Sequence, residues 1–186
     1  MSDPEPFTGE PLALDLVNTR PAGGDLLRTP HALAAWLDLQ AERLPEQLPA
    51  PTRSDLAAVH TVRDHITAAV EALLHGERPP EKALRGLEGV LAAAPAVRRP
   101  EWNGESVVET PRRIGEPGAR LAAALADAAV DLLTDPAVER LKRCAAEDCV
   151  LVFLAAHPRR QWCSPERCGN RTRVARYYRR HKPGTS

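Results

Sequence analysis

The four cysteines of this 186-residue chain are Cys144, Cys149, Cys163 and Cys168, two C-x4-C pairs with 13 residues between them. Two equally spaced thiolate pairs can converge on one tetrahedral divalent ion, the donor set of a structural zinc site. The competing use of four cysteines is two disulfides, which needs an oxidising compartment and ordinarily a secretion signal. The opening, Met1 to Gly9, is acidic and proline-bearing rather than basic then apolar, and no run of about 18 apolar residues suggests a membrane span. The sequence points to a cytoplasmic chain with reduced thiols and one structural Zn2+ on Cys144, Cys149, Cys163 and Cys168. Four protein ligands leave the metal no open position for water. No nucleophile motif, glycine-rich phosphate loop or His-Glu metal motif accompanies it, so the expectation is a protein that is not an enzyme.

The formal net charge is zero, but it is unevenly spread. Before residue 140 there are 13 Lys/Arg against 22 Asp/Glu, and from residue 140 onward 12 against 3. The first stretch therefore carries −9 and the last +9. Such concentrated positive charge is the electrostatic footprint of a nucleic-acid partner; docking of the basic end on the acidic body is the alternative. Arginines outnumber lysines 22 to 3, so genomic composition contributes to their number, and their positions are the more informative signal.

The elements that must position these groups read mainly α (α+β): a helical N-terminal domain over 1–134 with a small β-hairpin, then a zinc-finger module over 135–186. The core is aliphatic, with only seven aromatic residues. Leu12, Leu14, Leu16 and Val17 alternate as in a strand, a helical turn being the other possibility. Thr29-Pro30 caps a helix burying Leu33, Trp36 and Leu37, and Thr52 with Asp55 caps a long helix closed at Gly76. His60, Arg63 and His65 lie along that helix, as ligand-pocket residues or as solvated or hydrogen-bonded ones. Pro80 opens a helix with Leu84, Leu87, Val90 and Leu91 inward. Residues 97–110 read as a hairpin around a type I′ Asn103-Gly104 turn, with Leu12–Val17 as a candidate third strand. Helical patterns resume over 118–133 and from Asp135-Pro136 through Val138 and Leu141 into Cys144. With no long linker, the finger is expected to be docked.

Within the finger, Cys144 to Cys149 reads as a turn, Val150 to Leu154 as a strand, Arg159 to Trp162 as its return, and Ser164-Pro165 as the cap of a final helix. That order of knuckle, hairpin and helix is treble-clef-like. Here the residues carry a resemblance. Arg143-Cys144, Cys149, Trp162-Cys163-Ser164 and Cys168-Gly169-Asn170-Arg171 resemble the CGNR zinc-finger family of bacterial proteins. Gly9-Glu10-Pro11-Leu12-Ala13-Leu14-Asp15-Leu16-Val17-Asn18-Thr19 resembles the start of the ABATE-type domain that accompanies this finger. The resemblance implies a stress-induced transcription regulator. One departure is the turn Ala155-Ala156-His157-Pro158, where the family tends to have an Asp and a Ser or Thr.

Projected at 100° per residue, Arg171, Val174, Ala175 and Tyr178 share the Cys168 side of the final helix and should pack on the finger. Arg173, Arg176 and Arg180 share the opposite side, flanked by Arg179. With Lys182 these are the candidates for nucleic-acid contact. Asn170 and Arg171 read as structural motif residues, Arg171 holding Glu147, Asp148, a carbonyl or a thiolate, with a direct phosphate contact as the alternative. The expectation is a zinc-dependent DNA-binding transcriptional regulator, nucleoid-associated, whose acidic domain senses a signal such as a small-molecule effector or mediates homodimerisation. An RNA-binding or protein-interaction adaptor using the same module is the alternative.

Overall fold

A computed structural model of the protein describes residues 6–44 and 49–174. Among the described residues, five α-helices form the body: α1 (Leu12–Val17), α2 (Pro30–Leu39), α3 (Arg53–Leu74), α4 (Glu81–Ala93) and α5 (Pro117–Thr134). An antiparallel hairpin of β1 (Ala96–Trp102) and β2 (Val107–Arg113) lies between α4 and α5, and a short antiparallel pair, β3 (Leu141–Arg143) and β4 (Val152–Leu154), follows α5.

Helix α3 is the central strut, about 33 Å long at 1.5 Å per residue, and it packs against α1, α2, α4, α5 and β3. Its start is fixed by a capping box: the Thr52 hydroxyl accepts from Asp55 N, and the Asp55 carboxylate accepts from Thr52 N. Its end is fixed by Gly76, whose φ of +72° permits Gly76 N to reach Leu73 O and Glu77 N to reach Ala72 O. Between them Val59, Val62, Ile66 and Val70 are fully buried at helical spacing, each burial favouring the fold by about 2 kcal/mol. Alanines 122, 123, 126 and 129 line the buried side of α5. Where α5 begins, a Cβ on Gly118 would lie 2.1 Å from Asp55 Oδ1, so only glycine permits this crossing.

Four expectations are corrected. Leu12–Val17 is a helix rather than a strand, and supplies no third strand; Leu12, Ala13, Leu14 and Leu16 are all buried, and an element covered all round shows no period. The segment after Asp135 is a 3-10 turn, Pro136–Arg140, that gives way to β3, so no helix runs into Cys144. The Asn103 turn is a four-residue loop, because no non-glycine residue among those described has positive φ, as a type I′ turn needs at Asn103. Its Oδ1 instead accepts from Glu105 N and Ser106 N. Leu84 is exposed, although Leu87 is buried.

Trp36 sits in the core as expected. The helix α3 polar residues are mostly structural. His60 Nε2 hydrogen-bonds Leu27 O at 2.7 Å, and the wholly buried Arg63 holds Asp25 through two bonds, 2.8 and 2.5 Å, and Thr19 Oγ1 at 2.7 Å. His65 packs against Gly86 and lines a cleft of about 360 Å³ with Thr61, Asp64, Pro80 and Lys82.

Burial alone would raise the Asp25 carboxyl, but the bonds from Arg63 and Leu27 N outweigh it and hold the group below its ordinary value. A depressed carboxyl stabilises the fold above its unfolded pKa, and that stabilisation is lost as pH falls through the folded value. Arg63→Met should cost about 3 kcal/mol at neutral pH, since it removes two charge-assisted bonds from Asp25 and one from the buried Thr19 hydroxyl. Urea titrations at several pH values should show the deficit shrinking toward acid; an unchanged midpoint at pH 7 would rule the pair out as a determinant of stability.

Candidate metal centre

β3 delivers Cys144, and the knuckle that follows closes with Cys149 N on Ala146 O at 3.0 Å and Cys144 N on Leu151 O at 2.9 Å. The chain returns through β4, which pairs with β3 in the register Leu141↔Leu154 and Arg143↔Val152. The strand partner is therefore β3; residues 159–162, expected as the return strand, are irregular and meet the knuckle through the Ala145 N to Gln161 O bond of 2.9 Å. Ser164 caps the last helical segment: its hydroxyl accepts from Arg167 N, with Pro165 at the first position. The first turn, Pro165–Gly169, is a wide π turn closed by Gly169 N on Ser164 O, and α-helix continues over 170–174. This turn carries Cys168 beneath the knuckle.

The four Sγ atoms of Cys144, Cys149, Cys163 and Cys168 lie within 4.8 Å of one another, three of the residues buried and Cys149 half-buried. A tetrahedral zinc with bonds of about 2.3 Å asks for sulfur separations of about 3.8 Å, so the cluster fits the ion with little adjustment. Its chemistry also calls for a cation. Burial pushes the Cys149 thiol up to about 11, with the nearby Cys144 charge adding to it, and burial and neighbouring thiols push Cys163 up as well. At Cys144 burial is outweighed by bonds from Ala146 N and Cys163 N and by the thiols of Cys149 and Cys168, so that its thiol falls below the ordinary value. Burial and mutual repulsion oppose four thiolates together, and the charge of a divalent ion offsets both.

Arg160 is the finger's internal brace. Its guanidinium stacks on Phe153 at 4.2 Å and donates to Leu154 O at 3.2 Å and to Cys163 O. It also reaches Glu10 Oε1 at 2.5 Å, which belongs to the body. The second oxygen of Glu10 accepts from Leu154 N at 2.9 Å. Asn18 does more: Nδ2 donates to Val152 O at 2.8 Å and Oδ1 accepts from Val152 N at 2.9 Å, so its amide stands in for a neighbouring strand. Val152 itself packs in the body's core. Behind these contacts the wholly buried Asp15 accepts from Gly9 N, Glu10 N and Arg43, which fixes the chain that presents Glu10.

Glu10, Asn18 and Arg160 were not singled out by spacing or charge. The readable signal was a set of polar residues, Glu10, Asp15, Asn18 and Thr19, around an apolar helix, all of which are buried. Among the motif residues, Arg171 lies 3.9 Å from Cys168 Sγ and 4.0 Å from Asp148 Oδ2, and Asn170 is exposed. Arg173 is exposed, and Val174, expected to pack inward, is 53% exposed, because Cys168 and Gly169 are the last buried residues of the described helix. Arg176, Arg179, Arg180 and Lys182, with Ala175 and Tyr178, lie outside the described residues.

Cys163→Ser should abolish stoichiometric metal binding and order around Cys163 and Cys168 while far-ultraviolet circular dichroism keeps the helical body; a variant with one zinc per chain would exclude the four-thiolate site. Zinc retention against a chelator should fall as pH drops, since protons compete for the thiolates. Asn18→Ala leaves the Val152 N–H and C=O without a partner and should cost about 1–3 kcal/mol, read as faster hydrogen exchange at Val152 in zinc-loaded protein. Exchange unchanged there would mean that Asn18 does not hold the strand.

No helix among the described residues is long and apolar enough to cross a membrane. No curated protein matches the chain. Two family models do: ABATE, described as "Putative stress-induced transcription regulator", over residues 10–136, and the CGNR zinc finger over residues 140–181. Both are regulator or zinc-finger families rather than enzyme families. The second match and the cysteine cluster together assign one structural Zn2+ to the chain. Because the first match spans more than half of its length, the chain belongs to the ABATE family and ends in a CGNR zinc finger.

Proposed function

We propose that the protein is a zinc-dependent DNA-binding transcriptional regulator. Residues 135–186 form the nucleic-acid-binding module, and residues 1–134 sense a signal or mediate oligomerisation. The observation that carries this reading is the charge placed on the metal-stapled end, 12 Lys/Arg against 3 Asp/Glu from residue 140, in a chain whose family is described as a transcription regulator. Among the described residues, docking on the acidic body engages Arg160 with Glu10, Arg143 with Glu71 and Arg167 with Pro6 O. Arg140, Arg159 and Arg173 have no ion-pair partner among the described residues and face solvent.

Phosphate neutralisation is the sequence-independent part of DNA binding and sets its salt dependence. Arg173, Arg176, Arg179, Arg180 and Lys182 are the residues we assign to it. Zinc holds Cys168, at the start of the helical segment that carries Arg173; Arg171, beside Cys168 Sγ and Asp148, supports that end rather than the duplex. Such a protein works in the cytoplasm, at the nucleoid. The cleft lined by His65 and Lys82 is the site we assign to a small polar effector.

Zinc-loaded protein titrated with mixed genomic duplex across a salt series should give a steep fall of log K with log salt. In the Arg173/Arg176/Arg180 triple alanine variant the slope should drop by about 0.9 for each phosphate contact removed. No binding by the intact protein, or a preference for RNA over duplex DNA, would replace this reading with the adaptor.

A further inference from the structure

The four sulfurs of the metal centre are not equally sheltered. Cys144, Cys163 and Cys168 are buried, whereas Cys149 is half-buried. Beside it lies a cleft of about 310 Å³, with Pro21 and Ala22 of the loop after α1 on its wall and Arg167 and Arg171 of the finger among its lining residues. Of the four cysteines, Cys149 and Cys168 line this cleft, and Cys144 and Cys163 do not.

The oxidation of a cysteine depends on its thiolate character and on access. A zinc-bound cysteine is a thiolate, so all four meet the first condition, and the cleft gives the second to Cys149 and Cys168. Positive charge is also at hand. The Arg171 guanidinium lies 3.9 Å from Cys168 Sγ. A fixed cation there stabilises the negative charge that develops as a peroxide bond breaks.

We propose that Cys149 and Cys168 form an oxidation site for a small hydroperoxide, hydrogen peroxide being the simplest, and that the disulfide they form unlocks the finger. The Cys149 thiolate attacks one peroxide oxygen; the O–O bond breaks, hydroxide leaves and Cys149 carries a sulfenic acid. The Cys168 thiolate, within 4.8 Å of Cys149 Sγ, attacks the sulfenyl sulfur and displaces a second hydroxide as the S–S bond forms. Two thiolates lose two electrons between them, and one hydrogen peroxide accepts both, ending as two hydroxides that the solvent protonates. Cys168 is the resolving partner, rather than Cys144 or Cys163, because it shares the cleft with Cys149.

With those two sulfurs joined, the centre keeps two donors of four, too few for a structural zinc. Cys168 anchors the helical segment over 165–174, so order is lost there first. Asn18 and Glu10 still hold β4, and β4 still sets the register of the strand that ends at Cys144. The inference rests on the four-thiolate centre and not on DNA binding, and its test needs no duplex.

Zinc-loaded full chain should be exposed to graded hydrogen peroxide, quenched with catalase and alkylated in denaturant. One zinc per chain should pass to a colorimetric chelator in step with a Cys149–Cys168 disulfide found by peptide mass mapping, and a dithiol reductant with added zinc should restore the centre. Arg171→Met should leave zinc content unchanged and slow the loss about fivefold or more. Ala22→Trp, which fills the cleft without touching a ligand, should slow it too. Zinc kept at peroxide levels that oxidise a free-thiol peptide would overturn the proposal. So would a first disulfide through Cys144 or Cys163, or loss at an unchanged rate in both variants. A chain that binds no zinc before oxidation would overturn the metal centre and the proposal with it.

Discussion

The amide of Asn18, hydrogen-bonded to both polar groups of the Val152 peptide, is the contact on which the arrangement of the whole molecule depends. β4 is three residues long and has β3 on one side only. Its other edge is pressed into the body, where an unpaired N–H or C=O would cost as much as a lost hydrogen bond. A second strand would satisfy that edge, but α1 offers a helix end instead. The side chain at its C-terminus supplies one donor and one acceptor at strand spacing. Glu10 repeats the device two residues along, at Leu154 N. The start of the chain and its metal-binding end are thereby one packed unit.

That contact also orders the electrostatics. Glu10 is buried, and a buried carboxylate needs compensation; Arg160 provides it from the finger, while Arg43 steadies the same segment through Glu10 O and Asp15. Arg160 in turn donates to carbonyls on both sides of the metal site, at Leu154 and Cys163. A single guanidinium thus links the acidic body, the β4 strand and the backbone of a zinc ligand. The basic charge of the finger divides by position. Among the described residues, Arg160 and Arg143 pair with Glu10 and Glu71 of the body, whereas Arg173 is exposed and has no ion-pair partner.

Much of this was legible because the signals were local. Thr29-Pro30, Thr52 with Asp55, Gly76 and Ser164-Pro165 act within one helical turn of themselves, and each ends or begins an element where its chemistry requires. The four cysteines were legible for the same reason, since two pairs at fixed spacing bring their own geometry. What the sequence hid was non-local. A helix buried on every face, as α1 is, has lost the period that distinguishes it from a strand. The partners of Glu10 and Asn18 lie 144 and 134 residues away in the chain, and no spacing rule reaches that far. Helix α4 failed more mildly: its buried face runs through Ala83 and Leu87, which leaves Leu84, one residue past Ala83, exposed.

The same geometry bears on how the finger comes to exist. Two strands of three residues and a wide helical turn bury little, and modules of this kind ordinarily draw their folding free energy from the metal. Here part of the ordering is done beforehand. Asn18 and Glu10 hold β4, Val152 is inserted in the body's core, and β4 sets the register of β3, which ends at Cys144. The first half of the site can therefore be positioned by the body, leaving the metal to gather Cys163 and Cys168 and the helix they anchor. Such a division gives the acidic domain a physical grip on the helical segment over 165–174 beyond the direct bond from Arg167 to Pro6 O: whatever shifts α1 shifts β4, then Cys144, and so the site that Cys168 closes.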